Sequence, residues 1–296
     1  MRSSFGLETS NLELLGPGLD AVDEGQVEGK IKTIFEDIRA TLGVPTVGLV
    51  FRQLAGRPWF LDLAWRNLRP NAETEYFHRV AGELKVSAES AAGFASGGTP
   101  SLTAAVEDGV AFSNAAISLS DTQAKLLLAT AALRAGINGQ LPRMNLLSME
   151  EKRVHKPALP GSGLPQAPSP TGMQESLLRE IGETLRLGSD QSELRALLVW
   201  PVTLANAWSK IKDQLCRHLD HALGLGRQAE SAVEALPYRL EISSTACRQS
   251  GLTEDQIDVI KWTINGAFDS APRVLLTLAA LQVSTALSEV SVPAAS

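Results

Sequence analysis

Hydrophobic residues recur at intervals of three and four along most of the chain, the spacing that places side chains on one face of a helix. The first such run comprises Ile31, Ile34, Phe35, Ile38 and Leu42. Gly43 and Pro45 follow this run and predict the end of the helix. Val and Ile keep the helical spacing elsewhere and do not alternate with polar residues, as they would in a half-buried strand. The pattern therefore predicts an all-α protein.

The same spacing predicts the remaining helices. In the first half of the chain, the second helix covers residues 46–55, the third begins at Pro58 and the fourth begins at Asn71 or Thr74. A loop over residues 91–102 follows, then a helix that begins at Thr103 and a last one that follows Asp121. In the second half they cover residues 174–187 and 190–198, then 201–222 as two helices, then 252–266 and 271–287.

One stretch of the chain occurs twice without a gap. Residues 38–65 align with residues 181–208 at an offset of 143, with the same amino acid at nine positions: Ile38/Ile181, Thr41/Thr184, Leu42/Leu185, Arg52/Arg195, Leu54/Leu197, Pro58/Pro201, Leu61/Leu204, Ala64/Ala207 and Trp65/Trp208. Chance would give roughly two identities at ordinary composition. Further on, residues 126–133 align with residues 274–281 at an offset of 148. Such self-similarity predicts two tandem homologous repeats that face each other across a pseudo-two-fold axis, with a site at their interface.

The repeats divide the chain into four parts. We expect an irregular lead-in over residues 1–28, a first helical repeat over 29–154, a linker over 155–172 and a second helical repeat over 173–296. The linker contains five prolines, which exclude a regular helix or strand and favour an extended, polyproline-like segment.

Composition narrows the class of protein. Hydrophobic residues make up 44% and charged residues 20% of the 296 residues, as in a soluble globular protein. The net charge of −6 gives no basic footprint, so we expect no nucleic-acid partner. The apolar runs are too short to span a bilayer, no signal-peptide core is apparent at the start, and there are only two cysteines. These features predict a cytoplasmic protein without a membrane partner.

Three segments carry a family resemblance. EDIRATLGVPTVGLVFRQL, LAWRNLRPNAETEYFHRVAGEL and the run from Ser192 to Pro201 resemble the group I 2-haloacid dehalogenases over nearly the whole chain. The resemblance implies an all-α pseudo-dimer that uses no cofactor. It also implies hydrolysis of a 2-haloalkanoic acid by direct attack of an activated water, with inversion and no ester intermediate.

The resemblance also assigns candidate site residues. Glu193 stands at the position of the family's water-activating Asp, directly after Ser192, and Thr74 and His78 stand at the positions of a Thr and a Glu early in the fourth helix. Ser120 or Leu119 stands where the family has an Asn that helps to hold the water. Small or aliphatic residues replace the bulky family residues of the apolar wall at Thr46, Leu49, Ala267 and Ala271.

Each candidate also has a structural interpretation. A buried carboxylate at Glu193 would have a raised pKa and could act as a general base, whereas an exposed one would only complement the helix dipole. Asp190 is the rival carboxylate, although an N-cap role suits it better. His78 could transfer protons or simply lie on the surface.

The remaining polar candidates are weaker. Arg52 and Arg195 could bind a substrate carboxylate, but structural ion pairs are the more frequent role. His218 and His221 lie three residues apart and could chelate a metal, yet two nitrogens without clustered thiols favour no metal site.

The sequence thus predicts a hydrolase in which Glu193 activates a water that attacks a small or medium organic acid. The alternative is a family member that lost dehalogenation and either catalyses another proton-transfer or hydrolytic reaction on a bulkier substrate or binds a small molecule without catalysis. In either case we expect a pocket of roughly 300–1,000 Å³ between the repeats. A homodimer is one assembly that the sequence leaves open.

Overall fold

The computed structural model describes residues 18–95, 106–140, 153–154, 170–187 and 192–286. The helices of the first half are α1 Gly29–Leu42, α2 Leu49–Leu54, α3 Pro58–Ala72, α4 Glu75–Ala95 and α5 Val106–Ile137. Those of the second half are α6 Met173–Leu185, α7 Ser192–Arg195, α8 Pro201–Arg217, α9 Asp220–Val233, α10 Ser244–Gln249 and α11 Glu254–Ala286. No strand occurs in these ranges, where a single isolated bridge joins Thr74 to Val154. The predicted all-α fold is confirmed.

Local chemistry explains where several helices begin and end. Gly43 adopts a left-handed conformation (φ 62°) after α1, and its N–H binds the carbonyl of Arg39, so a residue without a Cβ closes the helix at low cost. Pro58 and Pro201 open α3 and α8, where a missing N–H and a fixed φ suit the first helical position. The predictions at Gly43, Pro58 and Pro201 are therefore confirmed.

Other predicted boundaries are wrong. The loop expected from residue 91 begins later, because α4 continues to Ala95. α5 and α11 are each one long helix, with no break before Asp121 and none between residues 266 and 271, even though Pro272 lies inside α11. These two helices are buried along much of their length, and tertiary packing outweighs local breaking signals. α2 is shorter than the predicted 46–55, and α7 continues only as a 3₁₀ turn, Ala196–Val199.

The two halves share side-chain contacts at the offset of the sequence repeat. In the first half the indole Nε1 of Trp65 donates to Asp37 (2.6 Å), which also pairs with Arg69 (3.0 Å). In the second half the indole of Trp208 donates to Glu180 (3.2 Å), which also pairs with Lys212 (3.1 Å). An acid, an indole and a cation thus tie the first helix of each half to its third, which supports the proposed duplication.

The halves pack into one continuous hydrophobic core rather than two. α5 packs most extensively against α11 and also contacts α9. Polar contacts cross between the halves as well: the Asn71 side chain on α3 donates to the Tyr238 carbonyl (2.8 Å) and accepts from the Tyr238 N–H (2.9 Å). The interface between the repeats is therefore part of the protein's interior.

The segment before α1 is more ordered than a simple lead-in. The N–H of Leu19 donates to the Thr263 hydroxyl on α11 (2.9 Å), and the N–H of Val22 donates to the Arg52 carbonyl on α2 (3.2 Å). A 3₁₀ turn, Glu24–Gln26, then leads towards α1. This segment therefore binds both halves, through α2 of the first and α11 of the second.

The proposed division into lead-in, two repeats and linker stays a prediction, because residues 155–169 of the linker lie outside the described ranges. None of the described helices is both long and apolar enough to cross a membrane.

Candidate active site

A small cavity lies where the beginning of α2 meets α5, α7 and α11. Its lining comprises Gly48, Leu49, Val50, Gln123, Leu126, Thr130, Leu187, Glu193, Ala267, Ser270, Ala271 and Val274. The sequence placed a site between the beginnings of the two second helices, closed by the helix that carries Ala267 and Ala271. The cavity has that position.

The lining follows the repeat. Val50 and Glu193 correspond at the offset of 143, and both line the cavity. At the offset of 148, Gln123 corresponds to Ala271 and Leu126 to Val274, and all four line it as well. Pairs of equivalent positions around one space support a pseudo-two-fold axis that passes close to the cavity. The chemistry is nevertheless one-sided, since the carboxylate comes from the second copy only.

The cavity is much smaller than expected. Its volume is about 20 Å³, room for on the order of one water molecule. The small residues on α11 leave no large hole, because α5 lies so close that the Gln123 side-chain amide reaches the carbonyl of Ala271 (Nε2···O 3.2 Å). Helices approach until their surfaces pack at interior density, so a loss of side-chain bulk shortens the distance between them.

Glu193 is the charged residue of the lining. It is half-buried on α7, and its Oε1 accepts a hydrogen bond from the backbone N–H of Leu49 (3.2 Å), the first residue of α2. The N–H groups of a first helical turn have no partner within the helix, so a carboxylate is favourable there. The second half thus directs its carboxylate at the beginning of a first-half helix.

Gln123 is a functional candidate that the sequence reasoning missed. Its side chain is 4% exposed, and its Oε1 has no hydrogen-bond partner among the described residues. The carbonyl of Ala271 can only accept, so the amide orientation is fixed with the NH₂ group towards α11 and the oxygen left over. Aligning α5 with α11 at the offset of 148 would have placed Gln123 opposite Ala271, already a predicted wall residue.

Glu24 positions the segment before α2. Its carboxylate accepts from the N–H of Val47 (2.7 Å) and from Arg39 Nη1 (3.0 Å). Burial raises the pKa of Glu24, against the lowering effects of the Val47 hydrogen bond and of the nearby Arg39 and Arg52 charges. This acid therefore holds the chain one residue before Gly48 enters the cavity wall.

Several predicted site residues lie elsewhere. Thr74 is an N-cap of α4: its hydroxyl donates to the Asn71 carbonyl (2.7 Å) and accepts from the Phe77 N–H (3.2 Å). His78 lies one turn further, with Nε2 2.9 Å from the Ala72 carbonyl oxygen. Neither of the two lines the cavity.

The other candidates divide in the same way. Thr46 is half-buried in the segment before α2, and Ser120 is buried one turn before Gln123, where its hydroxyl has no partner among the described residues. Neither residue belongs to the lining. Ser192 begins α7, and its side chain lies outside the described part of the structure, as does Asp190. Leu49, Ala267 and Ala271 lie in the cavity wall, as the resemblance implies.

Comparison with known proteins points to one group. No protein-family profile matches the chain. It is 25% identical over 268 residues to an (R)-2-haloacid dehalogenase of Pseudomonas putida, covering 83% of this chain and 88% of the relative. It is 41% identical over 69 residues to a configuration-inverting 2-haloacid dehalogenase of Alcaligenes xylosoxydans xylosoxydans, covering 23% of this chain and 22% of that relative.

Solved structures share the fold. A D-2-haloacid dehalogenase mutant in complex with D-2-CPA superimposes with a TM-score of 0.79 at 21% identity, over 90% of this chain and 96% of the other. The complex of D-2-haloacid dehalogenase with L-LA gives a TM-score of 0.80 at 20% identity, with the same coverage. The resemblance to the group I 2-haloacid dehalogenases is thereby confirmed, with the fold shared over nearly the whole chain.

Proposed function

From this likeness to the 2-haloacid dehalogenases, we propose that the protein is a hydrolase that removes the halogen from carbon 2 of a small organic acid. The observation that carries the proposal is the Glu193 carboxylate in the wall of a cavity between the repeats, fixed by the N–H of Leu49. Glu193 is one methylene longer than Asp, and its position opposite the beginning of α2 suits a base that holds a water inside the cavity.

Two hydrogen-bond acceptors define what the cavity binds. Glu193 and Gln123 both line the cavity, and the side-chain oxygen of Gln123 has no hydrogen-bond donor among the described residues. Two acceptors match the two O–H groups of one water molecule. The cavity volume of about 20 Å³ also suits a single water. We therefore assign to Gln123 the task of orienting the water that Glu193 activates.

The proposed reaction is a direct displacement. Glu193 takes one proton from the water while the oxygen of that water forms a bond to carbon 2 of the substrate. The carbon–halogen bond breaks on the opposite side, and the halide leaves with the bonding electron pair. The products are a 2-hydroxy acid of inverted configuration and a halide ion, and the proton is later released from Glu193 to solvent. Removing the base costs typically 10²–10⁴-fold in rate.

A substrate needs more room than one water, so binding must displace part of the cavity wall. Leu126 and Val274 are the pair of aliphatic residues that face the same space from α5 and α11. Displacement of aliphatic side chains is less costly than displacement of the hydrogen-bonded Gln123 or Glu193. We expect the substrate's carbon chain to occupy the side of the cavity nearest Leu126 and Val274.

The test is halide release from each enantiomer of 2-chloropropanoate, followed by chloride-selective detection. Wild-type protein should release chloride, and Glu193→Gln should lower kcat by roughly 10²–10⁴-fold. Gln123→Met, which keeps the side-chain length without the acceptor, should lower kcat by at least about tenfold with a smaller change in KM. Glu36→Gln, on the exposed face of α1, is the matched control and should leave both constants unchanged. Undiminished turnover by Glu193→Gln would refute the assignment of the base.

The alternative, a relative that lost dehalogenation, is favoured by one observation: Thr74 and His78 make backbone hydrogen bonds outside the cavity. In that case neither enantiomer would yield halide, while calorimetry would still detect binding of 2-chloropropanoate. Binding without turnover would therefore replace the dehalogenase proposal with a small-molecule binder.

A further inference from the structure

The junction between α8 and α9 brings together three metal-ligating side chains. His218 directly follows α8 as its C-cap, Asp220 begins α9 and His221 is the next residue. The imidazole nitrogens and the carboxylate oxygen of these residues all lie within 4.8 Å of one another. The two imidazole rings are 5.6 Å apart between centroids, and the N–H of His221 donates to the His218 carbonyl (3.1 Å), which holds the turn that joins the helices.

The ligand atoms of this group are not committed to other protein contacts. Neither the two imidazoles nor the Asp220 carboxylate makes a hydrogen bond or an ion pair with another residue in the described part of the chain. The two histidines are half-buried and Asp220 is exposed, so an ion can reach all three from solvent. Ordinary surface residues also face solvent, but three ligands around a tight turn are partly pre-organised for chelation.

We propose that His218, Asp220 and His221 form a binding site for a first-row divalent transition-metal ion such as Zn²⁺. Two imidazole nitrogens and one carboxylate oxygen are ligands that Zn²⁺ accepts at about 2.0–2.2 Å, with water in the remaining position. Ligands of one tetrahedral ion lie roughly 3–3.5 Å apart, which small side-chain rotations reach from the present separation. Imidazole nitrogens disfavour Mg²⁺ and Ca²⁺, which prefer oxygen ligands.

The site is separate from the proposed active site and is confined to the second repeat. None of the three residues lines the cavity. At the offset of 143 the first repeat has Glu75, Phe77 and His78 at the equivalent positions, so only one imidazole is shared. Asp220 supplies the third ligand that the spacing of the two histidines alone did not suggest. A bound ion would link the end of α8 to the beginning of α9 and stabilise that junction.

The experiment is calorimetric titration of the metal-free, full-length protein with ZnCl₂, and with MgCl₂ in parallel. Zn²⁺ should bind with a stoichiometry of one and Mg²⁺ should not. The double variant His218→Gln/His221→Gln should lose at least about 100-fold in affinity, and Asp220→Asn about tenfold, as expected when ligands are removed. Melting temperatures without metal should equal that of the wild type, which shows that the variants fold.

Two matched controls make the result decisive. His78→Gln removes the equivalent histidine of the first repeat, and Cys216→Ser removes an exposed thiol two residues from His218. Neither change should weaken Zn²⁺ binding. Three outcomes would each overturn the proposal: unchanged affinity in the double variant, loss of affinity in Cys216→Ser, or no Zn²⁺ binding by the wild type at ZnCl₂ concentrations up to about 1 mM. Halide release plays no part in this test, so its outcome is independent of the proposed enzyme activity.

Discussion

Gly48, just before α2, lies against Leu126 of α5, and adding one methyl group there is a sharp test of the packing. A Cβ built on Gly48 would lie 2.6 Å from each of the two Leu126 methyl carbons and 3.0 Å from Leu126 Cγ. The backbone of Gly48 (φ −65°, ψ 160°) is open to any residue, so the cost of Gly48→Ala arises from the side-chain clash alone.

The expected magnitude follows from two opposing effects. Overpacking a well-filled core typically costs about 1–3 kcal/mol. Replacing Gly by Ala at a compatible backbone conformation recovers about 0.4–1 kcal/mol, because the unfolded chain loses freedom. Gly48→Ala should therefore lower the free energy of unfolding by about 1–2 kcal/mol. Leu126→Ala alone should lower the free energy of unfolding by about 2–5 kcal/mol, since only 3% of Leu126 is exposed.

Urea unfolding of the two single variants and the double variant measures the contact. The double variant should be more stable than the sum of the single effects predicts by about 1–2 kcal/mol, because each change relieves the other. Gly82→Ala on α4 is the matched control: a Cβ there meets no atom within 4 Å, and the change should stabilise by about 0.5–1 kcal/mol. Strict additivity of Gly48→Ala and Leu126→Ala would refute the proposed close approach of α2 to α5.

Three further predictions concern single side chains. A thiol reagent should label the exposed Cys216 in the native protein and not Cys247, because Cys247 is buried and this burial raises the pKa of its thiol. Labelling of a Cys216→Ser variant under native conditions would contradict this. The raised pKa of Glu24 means that the folded state holds the Glu24 proton more tightly than the unfolded state does. The stability of the wild type relative to Glu24→Gln should therefore fall as pH rises from 4.5 through that raised value. A difference in urea unfolding that does not change with pH would argue against this. Hydrogen bonds from Lys212 and then Trp208 lower the pKa of the exposed Glu180, so Glu180→Gln should cost at most about 1 kcal/mol at pH 7, and the difference should disappear as pH falls from 4.5 through the lowered value.

The fold was largely predictable because its determinants are local or repetitive. Gly43, Pro58 and Pro201 mark helix ends through their own backbone chemistry. The identities between the two copies then identify equivalent helices without any knowledge of contacts. The breaks predicted within α5 and α11 were wrong, because residues such as Pro272 are held in a helix by the packing of their neighbours, and sequence spacing does not report that packing.

The site was predictable only in part. Glu193 and the wall residues Ala267 and Ala271 came from the family resemblance, and all three lie in the cavity wall. Gln123 was missed because its importance depends on one unpartnered oxygen and on the nearby carbonyl of Ala271, both of which exist only after α5 and α11 pack. The volume was overestimated for a related reason: residue sizes do not determine how far apart two helices settle.

The continuous core has a consequence for the synthesis of the chain. α5 belongs to the first repeat, yet its most extensive packing partner is α11, near the end of the second. Completing the chain beyond residue 154 takes roughly 7–30 s at the usual synthesis rate of about 5–20 residues per second. During that interval α5 can pack against α3 and α4 but lacks its most extensive native partner, so the first copy cannot reach its final structure before the second copy emerges. The nascent first copy is therefore a natural client for a chaperone that shields hydrophobic surface, although the finished protein buries that surface completely at residues such as Leu127 and Leu128.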